Sequence, residues 1–158
     1  MTSSTLEANK AVVRRYYDEV WNQRNLAVLG ELVTDDVRDY GNRSVADRGP
    51  GQESVLTHYR TVMAAYLDFH IEPEELVAEG DTVVVFWVAT GREAKTQQPF
   101  RVRAISRLQL VGGKIAEYRV LADFASLRQQ VADGRVPDAR EVTWRPQEFD
   151  ATAKHAVG

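Results

Sequence analysis

The sequence from Phe100 to Leu127 reads FRVRAISRLQLVGGKIAEYRVLADFASL, and Gly112 and Gly113 join its two apolar-rich runs. Two adjacent glycines tolerate the positive φ angles of a tight two-residue turn. The stretch therefore predicts a long β-hairpin that leads into a short helix beginning near Phe124. The rest of the predicted fold is organised around this hairpin.

A two-residue loop predicts that Val111 faces Lys114 and that this register continues along both strands. Successive strand residues point to opposite faces, so the register sorts the side chains into two sets. One face would be mostly apolar, with Ser106 opposite Arg119 and Asp123 at its end. Its predicted members are Val102, Ala104, Ser106, Leu108, Ile115, Glu117, Arg119, Leu121 and Asp123. This face is our predicted location for the functional site.

Composition limits the classes of function. The chain has 158 residues, a net charge of −3 and no cysteine. An acidic chain does not attract nucleic acid or anionic lipid, and a chain without cysteine has no disulfide or thiolate site. The N-terminus lacks a signal-peptide pattern, and no apolar run is long enough to span a bilayer. We therefore expect a soluble, cytoplasmic protein that binds neither nucleic acid nor membrane.

Helical patterns dominate the first part of the chain. Ser4 to Glu7 fits a capping box, and an aromatic-rich apolar stripe follows at helical spacing. That stripe consists of Val13, Tyr16, Tyr17, Val20 and Trp21. A shorter helix is predicted over 26–33 and a polar loop over 34–51. A third helix is predicted from apolar residues at Val55, Tyr59, Val62, Met63 and Tyr66.

Strand patterns follow these helices. The segment 69–78 contains Pro73, which favours an edge strand or a bulge. The segment 82–90 reads TVVVFWVAT and is apolar on both faces, so it needs cover on both. We expect a homodimer that forms through this sheet. A last helix is predicted over 124–132, with Gly134 ending it, which gives one domain over 1–134 and a tail over 135–158.

The amino-acid sequences of several segments resemble those of a known family. These are VRRYYDEVWN (13–22), ELVAEGDTVV (75–84), ATG (89–91), GKIAE (113–117) and the aspartate at 123. They resemble the SnoaL-like polyketide cyclases, which belong to the superfamily with the cone-shaped fold of nuclear transport factor two. The resemblance covers roughly residues 8–132. It implies an α+β fold, in which a cone-shaped, curved antiparallel sheet wraps around the N-terminal helices.

The resemblance also implies a reaction. Characterised members close a ring by an intramolecular aldol reaction without a cofactor, and an aspartate near the end of the last long strand is the general base. Asp123 matches that aspartate by position. An apolar pocket raises the pKa of a carboxylate, which suits it to take a proton from carbon. The expected partner is a hydrophobic, polyketide-like small molecule of secondary metabolism.

Three residues differ from the family pattern. Tyr118 and Arg119 replace a common His-Trp pair, and Tyr40 replaces a common histidine. A cation at Arg119 would lower the pKa of Asp123 and weaken the base, or it would orient the substrate and stabilise an enolate oxygen. We therefore predict Asp123 and Arg119 as catalytic residues. The predicted substrate-binding residues are Tyr17, Tyr40, Tyr59, Met63, Trp87 and Ser106.

Each assignment has an alternative. Asp123 fits the N-cap of the last helix, and Arg119 fits an ion pair with Glu117 or Asp123. The same fold would also serve a cofactor-free hydroxylase, dehydratase or epoxide hydrolase, or a non-catalytic ligand-binding protein. No two of His58, His70 and His155 lie at a metal-ligand spacing, so no metal is expected. The resemblance implies that the reaction needs no cofactor.

Overall fold

The computed structural model describes residues 2–41 and 50–145. The helices are α1 (Ser3–Arg15), α2 (Leu29–Leu32), α3 (Gln52–Ala65) and α4 (Phe124–Asp133). A π-helical segment, Tyr16–Asn22, continues α1, and a short 3₁₀ turn, Leu26–Val28, precedes α2. The strands are β1 (Val33–Asp39), β2 (Tyr66–Glu79), β3 (Thr82–Glu93), β4 (Pro99–Val111) and β5 (Lys114–Ala122).

The five strands form one curved sheet in the order β1-β5-β4-β3-β2. β1 pairs parallel to β5, and the other neighbours are antiparallel. The aromatic stripe of the N-terminal helix lies in the core, with Tyr16, Tyr17 and Trp21 at most 2% exposed. The α+β fold expected from the sequence is therefore confirmed.

The segment predicted as a loop over 34–51 contains a strand, so that prediction is wrong in part. β1 buries Val33, Val37 and Asp39, and its residues Arg38 and Asp39 pair with residues of β5. The paired residues of β1 and β5 are far apart in the sequence, and the polar composition of the segment does not predict a strand. Residues 42–49 lie outside the described part of the chain.

The predicted turn of the central hairpin is confirmed, and the predicted register holds as far as Leu110 and Ile115 but is wrong beyond them. Val111 pairs with Lys114, and Gly112 and Gly113 both have positive φ, at 57° and 76°. Further along, the pairing shifts by one residue, and this leaves Ala116 as a bulge. A one-residue shift exchanges the two faces of a strand.

The bulge decides which β5 side chains face inward. Tyr118, Val120 and Ala122 face the core, whereas Arg119 and Leu121 face outward, and Leu121 is 72% exposed. The predicted set of residues sharing one face therefore divides at the bulge. Ser106 stays inside, opposite Val120 rather than Arg119.

Two side-chain amides hold the helices against the sheet. Asn22 donates to the Ile71 carbonyl (2.8 Å) and accepts from the Ile71 N–H (2.9 Å). Gln130 of α4 forms the same pair of bonds with Arg101, both at 2.9 Å. Both contacted residues expose a strand edge, since β2 is the edge strand and β5 ends before it reaches Arg101. Each amide therefore replaces a missing neighbouring strand.

The tail covers part of the outer face of the sheet. The Trp144 indole donates to the Trp87 carbonyl (3.0 Å) and packs edge-on against Phe86 at 5.2 Å between ring centroids. Both oxygens of Glu74 accept from the Thr143 hydroxyl, at 2.9 and 2.8 Å. Some of the cover that β3 needs thus comes from its own chain. Phe149, another aromatic residue of the tail, lies outside the described residues.

The Gln130 contacts predict a clear difference between neighbouring positions. We expect Gln130→Leu to lower the free energy of unfolding by roughly 1–3 kcal/mol, because it leaves buried backbone groups of Arg101 without partners. Gln129→Leu is the matched control on the same helix, and it should stay within about 0.5 kcal/mol of wild type. Urea denaturation measures both. Equal effects at the two positions would contradict the role given to Gln130.

Candidate active site

An apolar cavity lies between the concave face of the sheet and helices α3 and α4. Trp21, Trp87 and Phe100 supply aromatic walls, and Val62 and Leu127 come from the two helices. The cavity volume is about 70 Å³. That volume holds a few water molecules and is smaller than the ~300–1,000 Å³ of typical small-molecule sites.

A histidine–aspartate pair contributes to the wall of this cavity. His58 Nδ1 lies 2.8 Å from Asp39 Oδ2, and the Asp39 side chain has no exposed surface. The Gly41 N–H donates to the other carboxylate oxygen at 2.8 Å. Ser54 ties α3 to the end of β1 by donating to the Gly51 carbonyl (2.7 Å) and accepting from the Asp39 N–H (3.3 Å). Backbone contacts therefore fix the position of the carboxylate.

This arrangement selects one tautomer of His58. Because a carboxylate accepts at Nδ1, that nitrogen carries a proton, and in the neutral tautomer the lone pair is on Nε2. His58 lines the cavity, and its Nε2 makes no hydrogen bond within the described ranges 2–41 and 50–145. Trp21 and Tyr118 pack against the ring, with centroids at 5.3 and 5.9 Å.

A chain of hydrogen bonds crosses the inner face of the sheet next to this pair. The Trp87 indole donates to the Ser106 hydroxyl (2.8 Å), which donates to the Tyr118 hydroxyl (3.2 Å). Ser106 is fully buried, and Tyr118 lines the cavity beside His58. The bond from Ser106 fixes the orientation of the Tyr118 hydroxyl, and the Tyr118 ring packs against His58.

Two further tyrosines lie deeper in the core. The hydroxyls of Tyr16 and Tyr17 are buried and make no hydrogen bond to the part of the chain that the structure describes. Burial raises the pKa of both phenols well above 10, and Asp39 raises that of Tyr16 further. Ser106 and Tyr118 are close to the Tyr17 hydroxyl without meeting hydrogen-bond geometry. Both phenols therefore stay neutral at physiological pH.

The structure places the two predicted catalytic residues outside the cavity. Asp123 is exposed and caps α4, with its Oδ1 accepting from the Ser126 N–H at 2.9 Å. Arg119 donates to Glu117 (2.7 Å) and lies 4.0 Å from the ring centroid of Tyr40. Asp123 and Arg119 therefore lie away from the cavity wall, because the bulge at Ala116 turned β5 over.

The predicted substrate-binding residues divide into two groups. Trp87 lines the cavity, and its indole is hydrogen-bonded to Ser106. The Tyr17 ring packs in the core, with its centroid 6.1 Å from that of Trp87. Tyr59, Met63 and Tyr40 do not line the cavity. On α3 the residues that face it are His58 and Val62, followed by Tyr66 just beyond the helix, so the helix is rotated by about one residue from the predicted orientation.

Sequence reasoning missed the Asp39–His58 pair. His58 stands beside Tyr59 on the predicted third helix, and Asp39 fell in the segment interpreted as a loop. The two residues are 19 positions apart, and only the pairing of β1 with β5 brings the aspartate inward. The one available signal was a histidine on the apolar side of an amphipathic helix.

Within residues 2–41 and 50–145, no group of three or more His, Asp or Glu side chains is placed to hold a metal ion. No helix in those ranges is long and apolar enough to cross a bilayer.

Comparison with known proteins assigns the family. The family model described as SnoaL-like polyketide cyclase matches residues 11–131, which include every residue that lines the cavity. The chain belongs to this family. A search of the curated proteins found no match.

Solved structures share the SnoaL-like fold at low sequence identity. A protein from Jannaschia sp. CCS1, named as a SnoaL-like polyketide cyclase, superposes with a TM-score of 0.75 at 21% identity, covering 84% of this chain and 96% of that one. IdmH from Streptomyces antibioticus, named as a polyketide cyclase, superposes with a TM-score of 0.70 at 21% identity, covering 78% of this chain and 98% of that one. A Catenulispora acidiphila protein with a ketosteroid isomerase-like fold, bound to trimethylamine, has a TM-score of 0.66 at 20% identity. The match covers 80% of this chain and 93% of that one.

The capping role of Asp123 in this SnoaL-like protein is testable by stability. Asp123→Ala should lower the free energy of unfolding by about 1 kcal/mol, because it removes the N-cap of α4. Asp123→Asn should change it little, since asparagine is also a good N-cap. Thermal and urea unfolding of both variants measure this. A stability loss of the same size in Asp123→Asn would show that the charge, and not the cap, matters.

The two buried phenols should make the protein less stable at alkaline pH. A raised folded-state pKa contributes stability that is fully present below pH ~10 and is lost as pH rises above it, by up to about 1.4 kcal/mol per pH unit for each phenol. Tyr16→Phe should therefore reduce the slope of this loss. At neutral pH it should not destabilise, because the hydroxyl has no described partner. Urea unfolding between neutral pH and pH ~11 measures both effects, and an unchanged slope would contradict the prediction.

Proposed function

We propose that this SnoaL-like protein is an enzyme of secondary metabolism that transfers protons on a hydrophobic, polyketide-like carbonyl compound, closing a ring by aldol addition or isomerising it without a cofactor. The observation that carries the proposal is the 2.8 Å His58–Asp39 pair in the wall of an apolar cavity. A buried carboxylate that orients a histidine is a recurrent device for general base catalysis.

The proposed first step is proton abstraction. His58 Nε2 takes a proton from the carbon next to a substrate carbonyl, and the electron pair moves onto the carbonyl oxygen to form an enolate. Asp39 stabilises the imidazolium that results, since its carboxylate already accepts from Nδ1. A positioned base of this kind typically contributes about 10²–10⁴-fold to the rate.

The enolate oxygen needs a hydrogen-bond donor. Tyr118 is the proposed donor, because it lines the cavity beside His58 and its hydroxyl already accepts from Ser106 at 3.2 Å. The Trp87–Ser106 bond holds this chain in place, which fixes the donor before the charge develops. The enolate carbon then attacks a second carbonyl of the same substrate, and the new alkoxide takes the proton from the imidazolium.

Asp123 and Arg119 remain the alternative predicted from the family resemblance. In their favour, Asp123 is the residue that matches the family's aspartate by position. The geometry favours His58, because Asp123 is exposed and caps α4 whereas His58 lines the cavity. One experiment on variants of both residues distinguishes the two bases.

A homodimer through the outer face of the sheet is part of the same proposal. Leu121 and Val77 are 72% and 49% exposed on that face, beyond the part that Trp144 covers. The support for this interface is the apolar composition of β3, which needs cover on both faces, together with these exposed side chains on β2 and β5.

Kemp elimination of 5-nitrobenzisoxazole tests the base directly. The enzyme base removes the ring C–H proton, the N–O bond breaks and a coloured phenolate forms, so no natural substrate is needed. We expect His58→Gln to lower kcat/KM at least about tenfold and Asp39→Asn to lower it less, because asparagine cannot stabilise the imidazolium. Asp123→Asn should retain wild-type turnover.

The controls separate catalysis from folding. Circular dichroism and thermal unfolding confirm that each variant is folded. If Asp123→Asn lost Kemp elimination while His58→Gln kept wild-type turnover, Asp123 would be established as the base. Equal and unaccelerated rates in all the proteins would favour a non-catalytic binding protein.

A further inference from the structure

A second concave surface adjoins the cavity. This outer groove lies between the start of β2, the β3–β4 connection and helix α4, and its volume is about 410 Å³. Tyr66 and Leu127 line both the groove and the cavity. These two side chains therefore form the boundary between an inner and an outer compartment.

The sizes of the two compartments limit what binds. The inner cavity of about 70 Å³ is too small for a substrate with several rings, whereas the groove volume of about 410 Å³ lies within the usual range for small-molecule sites. A ligand whose reacting group reaches His58 must extend past Tyr66 into the groove. Part of Tyr66 is exposed, and its ring lies 5.0 Å from that of Phe100.

The groove differs from the cavity in its charged residues. It is lined by Lys95 and Arg128 and by one carboxylate, Glu93, whereas the cavity lining contains no lysine, arginine or acidic residue. Both Glu93–Thr96 bonds use Oε2, to the backbone N–H (2.7 Å) and to the hydroxyl (2.9 Å). The Thr96 amide bond lowers the pKa of Glu93, and the nearby charge of Lys95 contributes to the same shift, so this carboxylate is ionised. Its charge offsets one of the two cations, and the groove lining keeps an excess of one positive charge.

The two cations are available to a ligand. Within residues 2–41 and 50–145, neither Lys95 nor Arg128 has an ion pair with an acidic side chain at 4.0 Å or less. Gln130 anchors α4 to Arg101, which fixes the helix that carries Arg128. Ala65, Val131 and Ala132 supply apolar surface between the charges.

We propose that the groove binds the part of the substrate that the cavity cannot hold, and that this part carries an anionic group held by Lys95 and Arg128. The inferred ligand is an amphiphile, with an uncharged ring that enters the cavity past Tyr66 and Leu127 and an acidic end, such as a carboxylate, that stays in the groove. This inference rests on the proposed function only for the position of the reacting group.

A matched pair of fluorescent probes tests the groove without turnover. The anionic probe is 1-anilinonaphthalene-8-sulfonate, and the neutral probe is N-phenyl-1-naphthylamine, which has the same rings without the sulfonate. In the double variant Lys95→Gln/Arg128→Gln, the Kd of the anionic probe should rise about three- to tenfold, as expected for two exposed ion pairs. The Kd of the neutral probe should stay within about twofold.

Two further controls locate the binding. The double variant Arg135→Gln/Arg140→Gln removes two exposed cations outside the groove and should leave both Kd values unchanged. Ala132→Trp fills the groove from an exposed position of α4 and should weaken the binding of both probes. Ala125→Trp, at an exposed position of α4 outside the groove lining, should weaken neither.

Salt gives an independent readout. Raising NaCl to about 0.5 M should weaken the anionic probe and leave the neutral probe unchanged, because exposed charges are screened at that ionic strength. Equal responses of the two probes to the Lys95/Arg128 change, or no binding of either probe, would overturn the proposal. Loss of Kemp elimination in His58→Gln with no discrimination between the probes would support the proposed base and reject the groove.

Discussion

The bulge at Ala116 decides what this cavity contains. One extra residue in β5 turns Tyr118, Val120 and Ala122 inward and sends the residues between them outward. Because β1 pairs with β5 beyond the bulge, with Asp39 beside Tyr118, the same shift determines where the buried carboxylate lies. An unbroken hairpin would instead direct Arg119 into the apolar interior, where an unpaired cation is expensive.

Side-chain amides complete the sheet where strands are missing. Asn22 and Gln130 each bond both backbone groups of one strand residue, so the π-helical segment and α4 are fixed against opposite parts of the sheet. The cavity is the space left between these fixed elements. Runs of π-helix are uncommon and often occur at functional sites, and here the run carries Trp21 into the cavity wall.

The polar groups inside the core are consistent with binding rather than with maximal stability. The hydroxyls of Tyr16 and Tyr17 have no partner in the part of the chain that the structure describes, and this costs free energy that phenylalanine would not. Around them, Ser106 and Tyr118 form an ordered chain next to His58. Proteins commonly depart from the best local choice where a site is built.

The sequence by itself determined the turn at Gly112 and Gly113, the edge strand interrupted at Pro73 and the aromatic stripe of the first helix, because each depends on local periodicity or turn chemistry. The class of fold followed from its resemblance to the SnoaL-like proteins, which also indicated the family. Only the tertiary structure decided the site. The bulge reversed the faces of β5, which left Asp123 as a helix cap, and the parallel pairing of β1 with β5 brought Asp39 to His58. Such pairings join residues far apart in the chain, and neither composition nor spacing encodes them.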